Sequence, residues 1–205
     1  MSNLPIKYRK GTNNLIFNVD YFDYLSGAGY KKFYLAGLTT TTGTNQYILT
    51  ADNTIVADSD NSTIGGNGTD LDFDIEFNNP ATIAAADALA SFPTVMSSGN
   101  ADYFNVTIKV IHYDGSTETE LGTVTCDSDD GDPTIKRRKT CKLALTRKFF
   151  AVGDILRVNI TISSSQAAGT HYTYIDPSGH ITDTDAAGGT STSDFSINIP
   201  FEVND

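Results

Sequence analysis

The stretch RKFFAVGDILRVNITI, Arg147 to Ile162, decides the fold class of this chain. Leu156, Val158, Ile160 and Ile162 fall on one side of an extended backbone, and Arg157, Asn159 and Thr161 on the other. That period of two marks a strand with one apolar and one wet face. The residues before it make a turn. Gly153 can take the positive φ that a tight turn needs, and Asp154 carries a carboxylate that can bond nearby backbone. Phe149 and Phe150 lead into that turn.

Working outward, the same alternation recurs at close spacing. Leu71, Phe73, Ile75 and Phe77 alternate with Asp72, Asp74 and Glu76, giving a strand with an apolar face and an acidic one. Phe104, Val106, Ile108 and Val110 form another strand, and Asp114-Gly115 signals a hairpin into Thr117 to Cys126. Cys141, Leu143 and Leu145 precede the deciding stretch, and His171 to Ile175 follows it. Phe195, Ile197, Ile199, Phe201 and Val203 close the chain, with Pro200 marking a sheet edge or a break in the ladder. Toward the N-terminus, strands are predicted at Leu15–Tyr24, Tyr30–Leu38, Gln46–Thr50 and Thr54–Ala57, with a loop from Asp58 to Thr69. One short helix is predicted from Pro80 to Phe92, on an Asn79 cap, Pro80 at the first helical position and an alanine-rich run. These segments predict an all-β, jelly-roll-like antiparallel β-sandwich of roughly eight to ten strands with that helix covering one end. Residues 1–13 read as an extended arm and 14–205 as one sandwich domain.

The 205 residues suffice for one substantial core, and no apolar run approaches the length of a spanning helix. The start, MSNLPIKYRKGTNN, lacks an apolar core of signal-peptide length, so synthesis in a cytoplasm is the expectation. Two cysteines, Cys126 and Cys141, flank one loop. Without an export signal they are expected to be reduced, small core residues rather than a disulfide. The net charge of −11 argues against nucleic acid as a partner. Between Thr44 and Asp130 the one basic residue is Lys109, whereas Lys136 to Arg157 holds eight of the fourteen, so basic contact surface is local. Lys136, Arg137, Arg138 and Lys139, within an acidic-then-basic loop from Asp127 to Lys139, are candidates for protein contact. Their plainer reading is a solvated hairpin tip balanced by the acidic run before it.

Residues that would carry chemistry are sparse. No Gly-x-Ser-x-Gly elbow occurs, and no histidines are spaced for a metal. The run Asp127-Ser128-Asp129-Asp130-Gly131-Asp132 departs from a calcium loop, because Arg138 stands where the bidentate Glu belongs. The glycines lack a phosphate-cradling context, so no cofactor is expected and an enzyme is disfavoured. A pair of carboxylates acting on a polysaccharide would leave no linear motif.

Several segments together resemble a family of structural proteins of tailed phages and environmental viruses. These are Tyr21-Phe22-Asp23-Tyr24-Leu25-Ser26-Gly27 with Lys32-Phe33-Tyr34, the hairpin Tyr113 to Thr119 with Leu121-Gly122-Thr123, Phe149 to Val158, Asp176-Pro177, and Ile197 to Phe201. The resemblance implies a jelly-roll-like sandwich located in the virion, and a non-enzymatic capsid decoration or cement protein. Its partners would be the major capsid protein and copies of itself in a homo-oligomer such as a trimer, with no membrane and no nucleic acid. The alternative is a carbohydrate- or receptor-binding module of a tail or fibre. The basic arm residues Lys7, Arg9 and Lys10, set against an acidic body, join the four loop cations as candidate contact residues.

Overall fold

The computed structural model describes residues 28–39, 46–55, 63–96, 103–126, 137–164, 171–175, 177 and 194–202. The arm with Lys7, Arg9 and Lys10, the segment Leu15–Tyr24 and the acidic run from Asp127 lie outside them. The described residues are all-β. In chain order they form β1 (Ala28–Thr39), β2 (Gln46–Thr50), β3 (Thr63–Gly65), β4 (Asp70–Glu76), β5 (Ala81–Ile83), β6 (Asp87–Met96) and β7 (Phe104–Tyr113). There follow β8 (Glu118–Cys126), β9 (Arg137–Ala144), β10 (Lys148–Phe150), β11 (Ile155–Ser164), β12 (His171–Tyr174) and β13 (Ser196–Glu202). Thirteen strands exceed the predicted eight to ten, because β3, β5 and β10 are three-residue bridges too short to show a period.

Neighbouring strands run in the order β3-β12-β6-β13-β1-β2-β4-β11-β7-β8, with β9 on the other edge of β6 and β5 joining β10 to β13. Pairing is antiparallel throughout except for β2 with β4, which run parallel. The apolar alternations point into one core. Phe33 and Leu35 of β1, Ile197 and Ile199 of β13 and Phe92 of β6 join Phe73 of β4, Val106 and Ile108 of β7 and Leu156 to Ile162 of β11 in one cluster. Strands from both parts of the sheet thus face one another, in a sandwich-like roll whose outer faces point away from each other. Stacked Phe92 and Phe195 rings, 4.6 Å apart, fill one part of this interior, and Phe77 against Phe150 at 4.9 Å another.

The predicted helix is absent: Ala81–Ile83 and Asp87–Met96 are strands. Ala88, Ala90 and Phe92 are buried while Leu89 is 41% exposed, so the segment follows a period of two. Small alanines suit the close packing of β6 between β13 and β9, and tertiary pairing outweighs their helix propensity. Pro93 is tolerated because it follows the last residue paired to β13, Ser91, and precedes Val95, which pairs with β12. Pro200 sits in a similar gap, between the β6 and β5 contacts of β13, as expected of a broken ladder. Asn53 and Thr54 form a turn and Ile55 belongs to no strand, while 56–57 of the predicted strand Thr54–Ala57 lie outside the described residues. The Asp52 carboxylate accepts the Thr54 backbone N–H at 2.8 Å, which closes the turn. Arg137 to Lys139 belong to β9 instead of a loop, and Thr63–Gly65 of the predicted loop is β3.

The cysteines depart from expectation as well, for Cys126 and Cys141 are joined in a disulfide with Cα atoms 6.1 Å apart. Their strands, β8 and β9, lie side by side at the seam where the roll meets itself. At this seam the Thr146 N–H donates to the Leu121 carbonyl at 2.9 Å. Gly122 lets the strands approach: a Cβ there would lie 2.3 Å from the Ala144 carbonyl oxygen. Leu121 is the extra residue of a β-bulge against Val110 and Ile111. Proximity imposed by rolling, which linear spacing does not reveal, brings the thiols together.

Candidate functional site

The outer face of β4, β11, β7 and β8 is acidic. Asp70, Asp72, Asp74, Glu76, Glu118 and Glu120 outnumber its two cations, Lys109 and Arg157. Alternation of β4 places its carboxylates outward once Phe73 is buried, and the antiparallel register sets Asp74 opposite Arg157 and Asp72 opposite Asn159. Arg157 is 6% exposed. Its Nε and Nη2 each donate to the Asp74 carboxylate at 2.8 Å, a two-pronged geometry that suits a planar guanidinium. Nη1 donates to Glu118 and lies 3.4 Å from Asp72. The guanidinium also rests 5.1 Å from the centre of the Tyr113 ring. Asn159 Nδ2 donates to Asp70 at 2.6 Å and Asp72 at 2.8 Å. Desolvation raises the Asp72 pKa, against the Asn159 hydrogen bond and the Arg157 charge. The Asp74 hydrogen bond raises that of Arg157 despite desolvation, keeping the guanidinium charged.

A second polar group closes one end of the roll. His112 is inward-facing and 5% exposed, and its Nε2 lies 2.7 Å from Asp154 Oδ2, which also accepts the Ala151 N–H at 2.8 Å. The ring meets Phe150 edge-on at 4.6 Å, and Nδ1 has no hydrogen-bond partner. The bond from His112, above all, lowers the Asp154 pKa. With the ring buried, the pair fixes the turn around Gly153, whose φ is 90°.

The side of the roll built from β1, β13, β6 and β9 carries cations that are paired with carboxylates. Arg138 Nη1 donates to Asp194 at 3.0 Å and Nε to Ser91 at 2.8 Å, while Lys32 lies 3.5 Å from the same carboxylate. Lys142 pairs with Asp87 at 2.5 Å and stays 69% exposed. Arg147 holds both Glu202 oxygens, at 2.6 and 2.7 Å, and this bond lowers the Glu202 pKa. Strand β9 as a whole carries four cations and no carboxylate.

Of the predicted contact residues, Arg137, Arg138 and Lys139 share β9, and Lys136 lies outside the described residues with the arm. Arg138 is engaged within the fold, so it orders the surface as well as charging it. The Arg157 cluster was not singled out from sequence, although two complementary alternations, Asp72/Asp74 and Arg157/Asn159, were its signal. The His112–Asp154 contact has no such signal, being 42 residues apart. Among the described residues no group of His, Cys, Asp and Glu could hold a metal ion, and no helix is long and apolar enough to cross a membrane.

No protein-family model matches the sequence, and no curated protein does. A CocE/NonD family hydrolase from Staphylococcus aureus superposes with a TM-score of 0.54 at 12% identity, over 86% of this chain and 37% of that one. An α-amino acid ester hydrolase gives a TM-score of 0.45 at 11% identity, over 85% of this chain and 34% of that one. The chain therefore corresponds to about a third of the length of these hydrolases, and the likeness concerns fold alone.

Proposed function

We propose that this chain is a non-enzymatic structural protein of a virus particle, a decoration or cement protein that binds the major capsid protein and its own copies through its outer sheet faces. The observation that carries this reading is charge segregation. Six carboxylates against two cations make the β4-β11-β7-β8 face a broad acidic surface suited to a basic protein surface, while the outward side of β9 presents Arg138 and Lys142, each paired with a carboxylate. Arg157 with Asp74 locks β11 to β4, and Arg147 with Glu202 ties the β9–β10 connection to β13, which preorganises those surfaces. Individual exposed ion pairs are worth under about 1 kcal/mol, so binding of this kind gains strength by repetition around a symmetric assembly. The disulfide fits a protein that works outside the reducing cytosol after particle release.

The test is depletion and add-back. Particles stripped of the chain should disassemble at lower temperature, and purified chain should restore them. Glu76→Lys with Glu120→Lys should weaken restoration and flatten its salt dependence. Stripped particles as heat-stable as complete ones would overturn the reading. A glycan-binding reading is favoured by one feature, Tyr30 and Tyr34 facing outward on β1 with Lys32 between them, its Nζ 4.5 Å from the Tyr34 ring centre. Tyr34→Ala abolishing binding to host glycans, with no effect on particle stability, would support it instead.

A further inference from the structure

The seam between β8 and β9 is built differently from the rest of the roll. Among the described residues these strands lie side by side without a continuous ladder. Near its far end the seam is held by the Thr146 N–H and hydroxyl, both donating to the Leu121 carbonyl. At the loop end it is held by the Cys126–Cys141 bond. Cys126 pairs in register with Val106 of β7, and Cys141 with Ala90 of β6, so the bond ties the β7–β8 hairpin to the β6–β9 pair. Behind it lie Leu121, Leu143 and Val106, all nearly solvent-free.

We propose that the Cys126–Cys141 bond is a redox latch on the rolled sheet. Oxidised, it holds the seam shut; reduced, it lets β8 and β9 part locally while the remaining strands stay folded. A thiol reductant opens it by thiol–disulfide exchange. Its thiolate attacks Sγ of Cys141, the less buried of the two residues, forming a mixed disulfide and releasing Cys126 as thiolate. A second reductant thiol attacks the mixed disulfide. Two electrons and two protons end on Cys126 and Cys141, and the reductant leaves as a disulfide. Glutathione disulfide runs the sequence backwards. The latch places β9, with its four cations, under redox control. It stands on the fold alone and holds whatever particle or partner the chain serves.

Hydrogen exchange read by mass spectrometry on the full chain, with and without excess dithiothreitol, tests the latch. Reduction should speed exchange by about tenfold or more in residues 121–126 and 139–145 and leave β4 and β11 protected, as local opening requires. Re-oxidation with glutathione disulfide should reverse the change, and Cys126→Ser with Cys141→Ser should reproduce the reduced pattern without reductant. The proposal is overturned if full reduction leaves the seam protected, or if it unfolds every strand together. It is also overturned if iodoacetamide modifies both cysteines of the air-oxidised, folded chain without reductant.

Discussion

Replacing Arg157 with alanine should be among the most damaging single changes, and its cost should depend on pH in a defined direction. The Arg157 side chain is 7% exposed and its main partner, the Asp74 side chain, is 11% exposed, so the substitution leaves a shielded carboxylate without a counter-charge. Breaking such a pair costs about 3–5 kcal/mol, whereas the half-exposed Glu118 adds well under about 1 kcal/mol. A loss of roughly 3–4 kcal/mol at pH 7 is the expected total, and Arg157→Lys should fall between, keeping the charge but not the two-pronged fit. The sign of the pH dependence follows from Asp72. Its folded pKa is raised, so ionising it costs stability as pH climbs through the carboxylate range, and Arg157 opposes that cost. Without Arg157, Asp72 should protonate at still higher pH, so the wild-type-minus-variant difference should be largest at neutral pH and shrink below about pH 4. Urea unfolding at pH 7 and pH 3.5 measures both. A loss below about 1 kcal/mol at pH 7, or one unchanged at pH 3.5, would refute the electrostatic account.

Ile160→Ala removes a fully buried side chain and should cost about 2–4 kcal/mol in urea unfolding; a loss under about 0.5 would mean that β11 faces the other way. Gly122→Ala should lower stability by about 1–3 kcal/mol, since its Cβ meets the Ala144 backbone, and a thermal melt equal to wild type would show that the seam is looser than described. The Asp114 carboxyl accepts the Thr117 and Ser116 N–H groups and is lowered to about 2. Its stabilisation is fully present above the unfolded pKa and is lost as pH falls from there through the folded value of about 2. Asp114→Asn should therefore melt below wild type at pH 6 and with it near pH 2; a gap that persists at pH 2 would contradict this.

Much of the sheet was legible because it obeys local rules. Phe104 to Tyr113, the Asp114-Gly115 turn and Leu156 to Ile162 show period two over enough residues to need no tertiary help. Ala81 to Phe92 misled because alanine-rich sequence after Asn-Pro carries real helix propensity, and a ladder on both edges of β6 overrode it. Three-residue bridges have no period to read, and the parallel β2–β4 pairing follows from the chain's path rather than from either strand. For the site, the acidic face of β4 and the polar face of β11 were each visible. Their meeting across one register was not, since Asp74 and Arg157 are 83 residues apart. The disulfide was missed for the same reason, because rolling of the sheet sets the distance between Cys126 and Cys141.

The central claim, that this chain is a structural component working through repeated protein contacts, is tested most directly by counting it in purified particles. Quantitative mass spectrometry against isotope-labelled peptides of this chain and of the major capsid protein gives the ratio. A decoration or cement protein should approach the copy number of the major capsid protein, with the count falling when particles are washed at high salt. A chain absent from particles, or present at only a few copies in each, would contradict the account.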